Sequence, residues 1–312
     1  IEEVEEEEAR PPRVPHDPGR PTRKELAEHL CIHWPFRSWC RHCVCGRAVA
    51  SPHKSRTEED REFGRGRIPT ISLDHCFLGS KDSEDESAHR NPFLVCYDNE
   101  TEGIFTVAVA SKSTKPWIVE WLKNVLYELG YGQMKVAIKC DGARELQELR
   151  RAVGNSRESP TVPIDVPVRE SKANGGMERA VRTWAGQFRT LKSHLEYEAK
   201  VQIPLHHPVL QWMAWWSAGI YNRFAVRHHG RTAHEYASGH KTKLPVACFG
   251  ETVLWRKKRT IADLNKHDVE YSEGVFLGMS GMGSELVVGT PEGVFRTRDM
   301  RILSDHDARW NS

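Results

Sequence analysis

What the chain lacks narrows its class first. No apolar run approaches the roughly 20 residues that a membrane-spanning helix needs. The first eight positions hold six glutamates and prolines with arginines follow, which is not the pattern of a secretory signal. A dominant charge is missing too. Against 45 Lys and Arg stand 43 Asp and Glu, leaving +2 over 312 residues, so the overall balance says nothing about a polyanionic partner. The eight cysteines are not spread as a disulfide framework. Cys31, Cys40, Cys43 and Cys45 crowd into fifteen positions. Cys76, Cys96 and Cys140 sit in apolar runs, where a thiol behaves as a small hydrophobe. That distribution suggests a metal or redox cluster in a reducing, intracellular setting. A chain that starts at Ile1 reads as a piece of a longer polyprotein.

A chain this long can bury a substantial core and suggests two or so domains. Residues 1–28 read as a disordered acidic, proline-rich tail, because they lack apolar periodicity. Residues 29–56 hold the His/Cys cluster, and 66–225 alternate apolar strand-like and helix-like runs. Residues 226–265 read as a linker. Residues 266–305 contain short β-rich runs separated by glycine turns.

The pattern His29-x3-His33-x6-Cys40-x2-Cys43 offers two nitrogens and two sulfurs at spacings able to close a tetrahedral Zn²⁺ site. Trp34, Phe36 and Trp39 would supply its apolar cap. Cys31, His42 and Cys45 are spare donors, and the bland alternative is a set of reduced thiols in an aromatic cluster.

Three acids stand out downstream. Asp74 interrupts an apolar run, 68–78, that reads as a strand. A second strand-like run, 135–140, ends at Asp141. From Met177 the residues Met177, Ala180, Val181, Trp184, Phe188 and Leu191 recur at helical spacing on one stripe. Glu178, Arg182 and Arg189 lie about 100° away round that helix, with Lys192 at its edge. A carboxylate at a helix start is often only a dipole contact. A carboxylate in an apolar strand, however, is costly unless a cation compensates it. Together the three would supply the all-oxygen set that Mg²⁺ prefers.

The order strand Asp74, strand-end Asp141, then Asn174-Gly175-Gly176-Met177-Glu178-Arg179 resembles the catalytic core of retroelement integrases. The 36 residues between Asp141 and Glu178 come close to the spacing that names that family's D,D,35-E triad. The His/Cys module resembles the zinc module preceding such cores, with a shorter stretch between His33 and Cys40. The succession Gly274-Val-Phe-Leu-Gly-Met-Ser280, then Val294-Phe-Arg-Thr-Arg-Asp299, resembles the small β-domain of copia-type (Pseudoviridae) retrotransposons. One departure is Asp141-Gly-Ala-Arg-Glu-Leu146, where the family commonly has Asn-Gly after the aspartate.

The resemblance implies an α/β protein. Its ribonuclease H-like mixed sheet core, of order βββ-α-β-α-β-α, would be flanked by a small His/Cys zinc-type module and a small C-terminal β-domain. First and fourth strands would lie side by side, bringing Asp74 and Asp141 together. It further implies a retrotransposon integrase performing metal-dependent 3′-end processing and strand transfer of element DNA, with Mg²⁺ or Mn²⁺ on Asp74, Asp141 and Glu178. Zn²⁺ would sit on His29, His33, Cys40 and Cys43. Lys172, Asn174, Arg179, Arg182, Arg189 and Lys192 would contact DNA. Lys257, Lys258, Arg259, Arg296, Arg298 and Arg301 either contact phosphates or keep edge strands soluble. The implied partners are element and target DNA and further copies of the chain, with no membrane, and the implied location is intracellular, nuclear during integration. The alternatives are a decayed or domesticated copy that binds nucleic acid without cutting it, and a cellular ribonuclease H-type nuclease.

Overall fold

The computed structural model describes residues 17–47, 68–77, 92–166, 175–227, 230–243, 245–257, 269–281 and 285–310. Two short helices open it, α1 (Arg23–Ile32) and α2 (Arg41–Arg47). Helix α1 starts inside the stretch 1–28 expected to be disordered. Its start is a capping box: the Thr22 side chain accepts from the Glu25 N–H, and Glu25 accepts from the Thr22 N–H at 2.8 Å. Two backbone donors at the helix end are thereby satisfied, which a reading by composition misses.

The first sheet then forms from β1 (Thr70–Cys76), β2 (Phe93–Asp98), β3 (Ile104–Ala108), β4 (Val136–Cys140) and β5 (Thr161–Asp165). Helix α3 (Pro116–Glu128) falls between β3 and β4, and α4 (Arg144–Ser156) between β4 and β5. The long α5 (Gly175–Ala199) follows β5. This is the expected element order. Spatially the strands run β3-β2-β1-β4-β5, with β1 antiparallel to β2 and parallel to β4. First and fourth strands are therefore neighbours.

Alternation along the central strands divides the core. Ile71 and Leu73 of β1, with Leu94 and Cys96 of β2, pack with α3 and α4. Phe93 and Val95 of β2, and Cys76 of β1, face the opposite layer, built from α5 and α6 (Val209–Phe224). Side chains along a strand point alternately to its two faces, so Asp74 lies on the α5 side of the sheet. The stripe expected on α5 is what packs there: Met177, Ala180, Trp184, Phe188 and Leu191 are buried.

Beyond α6 come α7 (Ala233–Ser238) and a second sheet, β6 (Thr252–Arg256), β7 (Tyr271–Met279), β8 (Leu286–Thr290), β9 (Gly293–Thr297) and β10 (Met300–Ile302). Its order is β10-β6-β7-β8-β9. Strand β6 and helix α7 fall within 226–265, the stretch expected as a linker. The second sheet shares one hydrophobic cluster with α5 and α6, in which Phe276, Met279 and Val288 join Trp184 and Trp216. At Gly278 (φ +133°) a β-carbon would stand 2.8 Å from the Trp216 ring. Only glycine lets β7 approach that fully buried indole. Trp216 of α6 is thus a core group, with Trp212 and Trp215 partly buried against the same cluster. No described helix is long and apolar enough to cross a membrane.

Candidate nucleic-acid-processing site and metal centre

Two clusters of chemistry-bearing side chains occupy opposite ends of α5. At its N-terminal end, pairing of Leu73 with Cys140 between β1 and β4 puts Asp74 and Asp141 at the next position of two adjacent parallel strands. Helix α5 begins at Gly175, two residues before the apolar stripe does. A β-carbon on Gly176 would meet the Tyr97 ring at 3.3 Å and Asn99 at 3.6 Å, so glycine there lets the helix start settle over the end of β2. That placement carries Glu178 towards the two aspartates.

Asp74 is half-buried, whereas Asp141 and Glu178 are exposed. The Asp74 carboxylate accepts the His75 N–H at 2.7 Å, and Asp141 accepts the Ala143 N–H at 3.1 Å, a turn that leads into α4. Burial, with the negative charges of Asp141 and Glu178, pushes the Asp74 carboxyl up to about 6. The His75 N–H and the Lys112 ammonium oppose this. The three acids therefore feel one another's field. They do not close to mutual contact: among the described residues, no group of three acids has ligand oxygens all within 4.8 Å. An all-oxygen donor set holding one carboxylate against burial and like charge fits a hard divalent cation.

Lys112 is a site residue that the sequence does not announce. It lies in the polar turn between β3 and α3, its ammonium 5.0 Å from the Phe77 ring centre. Nothing in its neighbours Ser111, Ser113 and Thr114 marks it. Of the cations expected on α5, Arg179 and Arg182 are exposed beside Glu178. Lys172 and Asn174 fall outside the described residues. Arg189 and Lys192 instead have partners within the protein: Arg189 donates to the Gly46 carbonyl at 3.1 Å, and Lys192 pairs with Glu196. Both lie on the expected side of the helix, but α2 and the i+4 acid occupy them.

The second cluster lies where α2 packs on α5. His29 comes from the last turn of α1. His33 follows that helix in a left-handed conformation (φ 52°), Cys40 precedes α2, and Cys43 lies in its first turn. All four are buried, and their donor atoms lie within 4.8 Å of one another, the only such group among the described residues. His29 Nε2 is 3.3 Å from Cys43 Sγ, and His33 Nδ1 is 3.5 Å from Cys40 Sγ. With Zn–S near 2.3 Å and Zn–N near 2.0–2.1 Å, a tetrahedron has edges of about 3.3–3.8 Å. The donor set and both spacings fit zinc.

Burial takes the His33 imidazole down to about 4, which keeps it neutral as a ligand must be. The bond to Cys40, then those to His29, His33 and Arg47, pull the Cys43 thiol far down against burial, while Cys40 is pushed up by its bond to Cys43. Arg47 donates to Cys43 Sγ at 3.1 Å and to the His33 carbonyl, bracing the thiolate from outside. The spare donors Cys31, His42 and Cys45 stand outside the quartet.

A cavity of about 670 Å³ lies between β3, α3, α6 and the second sheet, lined by Trp121, Glu128, Trp215 and Arg296 among others. It contains none of the three acids.

No family model matches the chain, and no curated protein matches it. Among solved structures, similarity reaches a chain of the cryo-EM simian T-cell lymphotropic virus intasome in complex with the PP2A regulatory subunit B56 gamma. That match has 12% identity and a TM-score of 0.32, and covers 77% of this chain and 84% of that one. The HTLV-2 integrase catalytic core domain in complex with magnesium, in its trimeric form, matches at 14% identity and a TM-score of 0.36. There the coverage is 55% of this chain and 99% of that one.

Proposed function

We propose that the chain is a retroelement integrase of the copia type, with a ribonuclease H-like core, which processes the 3′ ends of element DNA and joins them to target DNA. The observation that carries this reading is the adjacency of Asp74 and Asp141 on parallel strands, with Glu178 brought over them by α5. The Asn-Gly-x-x-Glu-Arg box and the His/Cys quartet support it independently.

In this reading Asp74, Asp141 and Glu178 would hold two Mg²⁺ or Mn²⁺ ions. When bound, such a pair supplies Lewis acidity for in-line displacement at a phosphodiester. The protein's own groups do the positioning. Strand β1 and the end of β4 fix the two aspartates, and Glu178 rides on a helix anchored by Met177 and Trp184. Arg179 and Arg182 face the DNA backbone beside Glu178, and Lys112 adds a cation at Asp74. Phosphate contacts of this kind orient a duplex and give little sequence preference. Neither step requires a covalent enzyme intermediate, so no serine or tyrosine nucleophile is involved. Zinc on His29, His33, Cys40 and Cys43 would tie α1 to α2, which packs on α5. The partners are element ends and target DNA, bound by a multimer of the chain, in the nucleus at the time of integration.

A second reading, a decayed copy that binds nucleic acid but does not cut, is favoured by the spread of the three carboxylates and by the Gly142-Ala143 departure after Asp141. A Mg²⁺-dependent strand-transfer assay with Asp74→Asn alongside separates the two. Product from the parent alone supports the integrase; equal product from both, or none from either while DNA binding persists, removes catalysis.

A further inference from the structure

The cavity of about 670 Å³ between β3, α3, α6 and the second sheet has the size of a site for a small organic group. Trp121, Trp212 and Trp215 line it. Trp212 and Trp215 stand nearly perpendicular, with ring centres 5.8 Å apart and planes at 84°, so together they form an aromatic corner. Trp121 lies on α3 seven residues before Glu128, which puts both on one face of that helix. Glu128 is half-buried and lines the same space. A β-carbon on Gly281 would overlap its carboxylate, so glycine there makes room for the acid beside the second sheet. Among the described residues no cation comes within the 4.0 Å of an ion pair with it. Burial pushes its carboxyl up, against the pull of the more distant Arg223 and Arg296 charges. The cavity thus holds an acid short of a counter-charge among indole rings.

We propose that this cavity binds a methylated ammonium group, with its methyls against the tryptophans and its charge compensated by Glu128. The inference stands apart from the integrase reading, because none of Asp74, Asp141 and Glu178 lines the cavity. A cation beside an indole face is attracted by the ring quadrupole, and a methylated one needs no hydrogen bonds that apolar walls cannot supply. The other charged groups of the lining are accounted for. Arg223 is already engaged: it donates to the Ser280 carbonyl at 2.6 Å and to the Gly281 carbonyl. Burial and the Arg223 charge pull the His234 imidazole down, so it adds no positive charge at neutral pH. Arg296, on β9, is exposed and competes for the acid only from solvent. Helix α3 carries no basic residue in its last turn, so the negative end of its dipole adds to the field of Glu128. Both a free quaternary amine such as choline and the end of a trimethylated lysine side chain offer this chemistry.

The test titrates the full chain at pH 8 with choline, following heat and tryptophan fluorescence. The uncharged analogue in which carbon replaces the nitrogen, and benzoate as an aromatic anion, are titrated alongside. Choline should bind about tenfold more tightly than the uncharged analogue, and benzoate should not bind. Glu128→Gln should weaken choline binding about tenfold. Arg296→Ala should tighten it severalfold by removing a competing charge. A peptide carrying trimethyllysine, run beside its unmethylated twin, separates the two sources. Tighter binding of the methylated peptide than of choline assigns the site to a protein tail, and the reverse assigns it to a free amine. Four results overturn the proposal: equal binding of choline and its uncharged analogue, binding of benzoate in place of choline, no binding of choline or of the methylated peptide, or weaker choline binding in Arg296→Ala. The ligand comparison on the parent and the variant at exposed Arg296 decide the matter even if Glu128→Gln fails to fold.

Discussion

Replacing Asp74 by Asn should stabilise the metal-free protein, and the size of the gain follows from the site. In the folded chain burial, Asp141 and Glu178 raise the Asp74 carboxyl from 3.8 to about 6. At 1.36 kcal/mol per pH unit this corresponds to about 3 kcal/mol for a fully buried group. The carboxyl is only partly buried, so solvent screening reduces the expected effect to about 1–2 kcal/mol. Between pH 4 and 6 the folded state holds this proton more tightly than the unfolded state does. Stability contributed here is therefore complete below pH 4 and is lost as pH rises through 6. Asparagine keeps an oxygen for the His75 N–H and cannot ionise. Urea melts of the metal-free proteins should show Asp74→Asn more stable than the parent by about 1–2 kcal/mol at pH 8. The two should be nearly equal at pH 4. Millimolar Mn²⁺ should stabilise the parent at pH 8 and leave the variant unchanged. A variant no more stable than the parent at pH 8, or equally stabilised by Mn²⁺, would refute the reasoning.

Other predictions rest on separate contacts. Cys43→Ser should abolish binding of one zinc per chain, measured by atomic absorption, and make the segment from α1 to α2 readily cleaved by protease. Gly46→Ala would set a β-carbon 2.9 Å from the Thr190 backbone nitrogen, forcing α2 off α5 at a cost of roughly 1–3 kcal/mol in a denaturant melt. Arg182→Gln should weaken DNA binding and lower the slope of log affinity against log salt by about 1. Arg189→Gln should leave that slope unchanged and loosen α2, because Arg189 already serves the Gly46 carbonyl.

The features legible from the residues are those set by period and topology. The stripe from Met177 to Leu191 has helical spacing and packs as that spacing demands. Asp74, within β1, and Asp141, just past β4, come to adjacent strands because the element order admits that sheet. The quartet His29, His33, Cys40 and Cys43 closes at the spacings its donors suggest. What stays hidden depends on contacts between distant segments. Helix α1 begins in a charged stretch because Thr22 and Glu25 cap it, a signal carried by two residues and masked by their neighbours. Arg189 and Lys192 are on the side expected; a helical wheel puts Glu196 one turn from Lys192, but it cannot show that α2 covers Arg189. Lys112 acts on Asp74 from a turn without periodicity.

The most direct measurement is anomalous diffraction from crystals of the parent soaked in Mn²⁺. A peak coordinated by both Asp74 and Asp141, with Glu178 turned towards it, and lost in Asp74→Asn, is the predicted result. Crystals that bind Mn²⁺ elsewhere, or nowhere, while these three carboxylates stay apart would contradict the account.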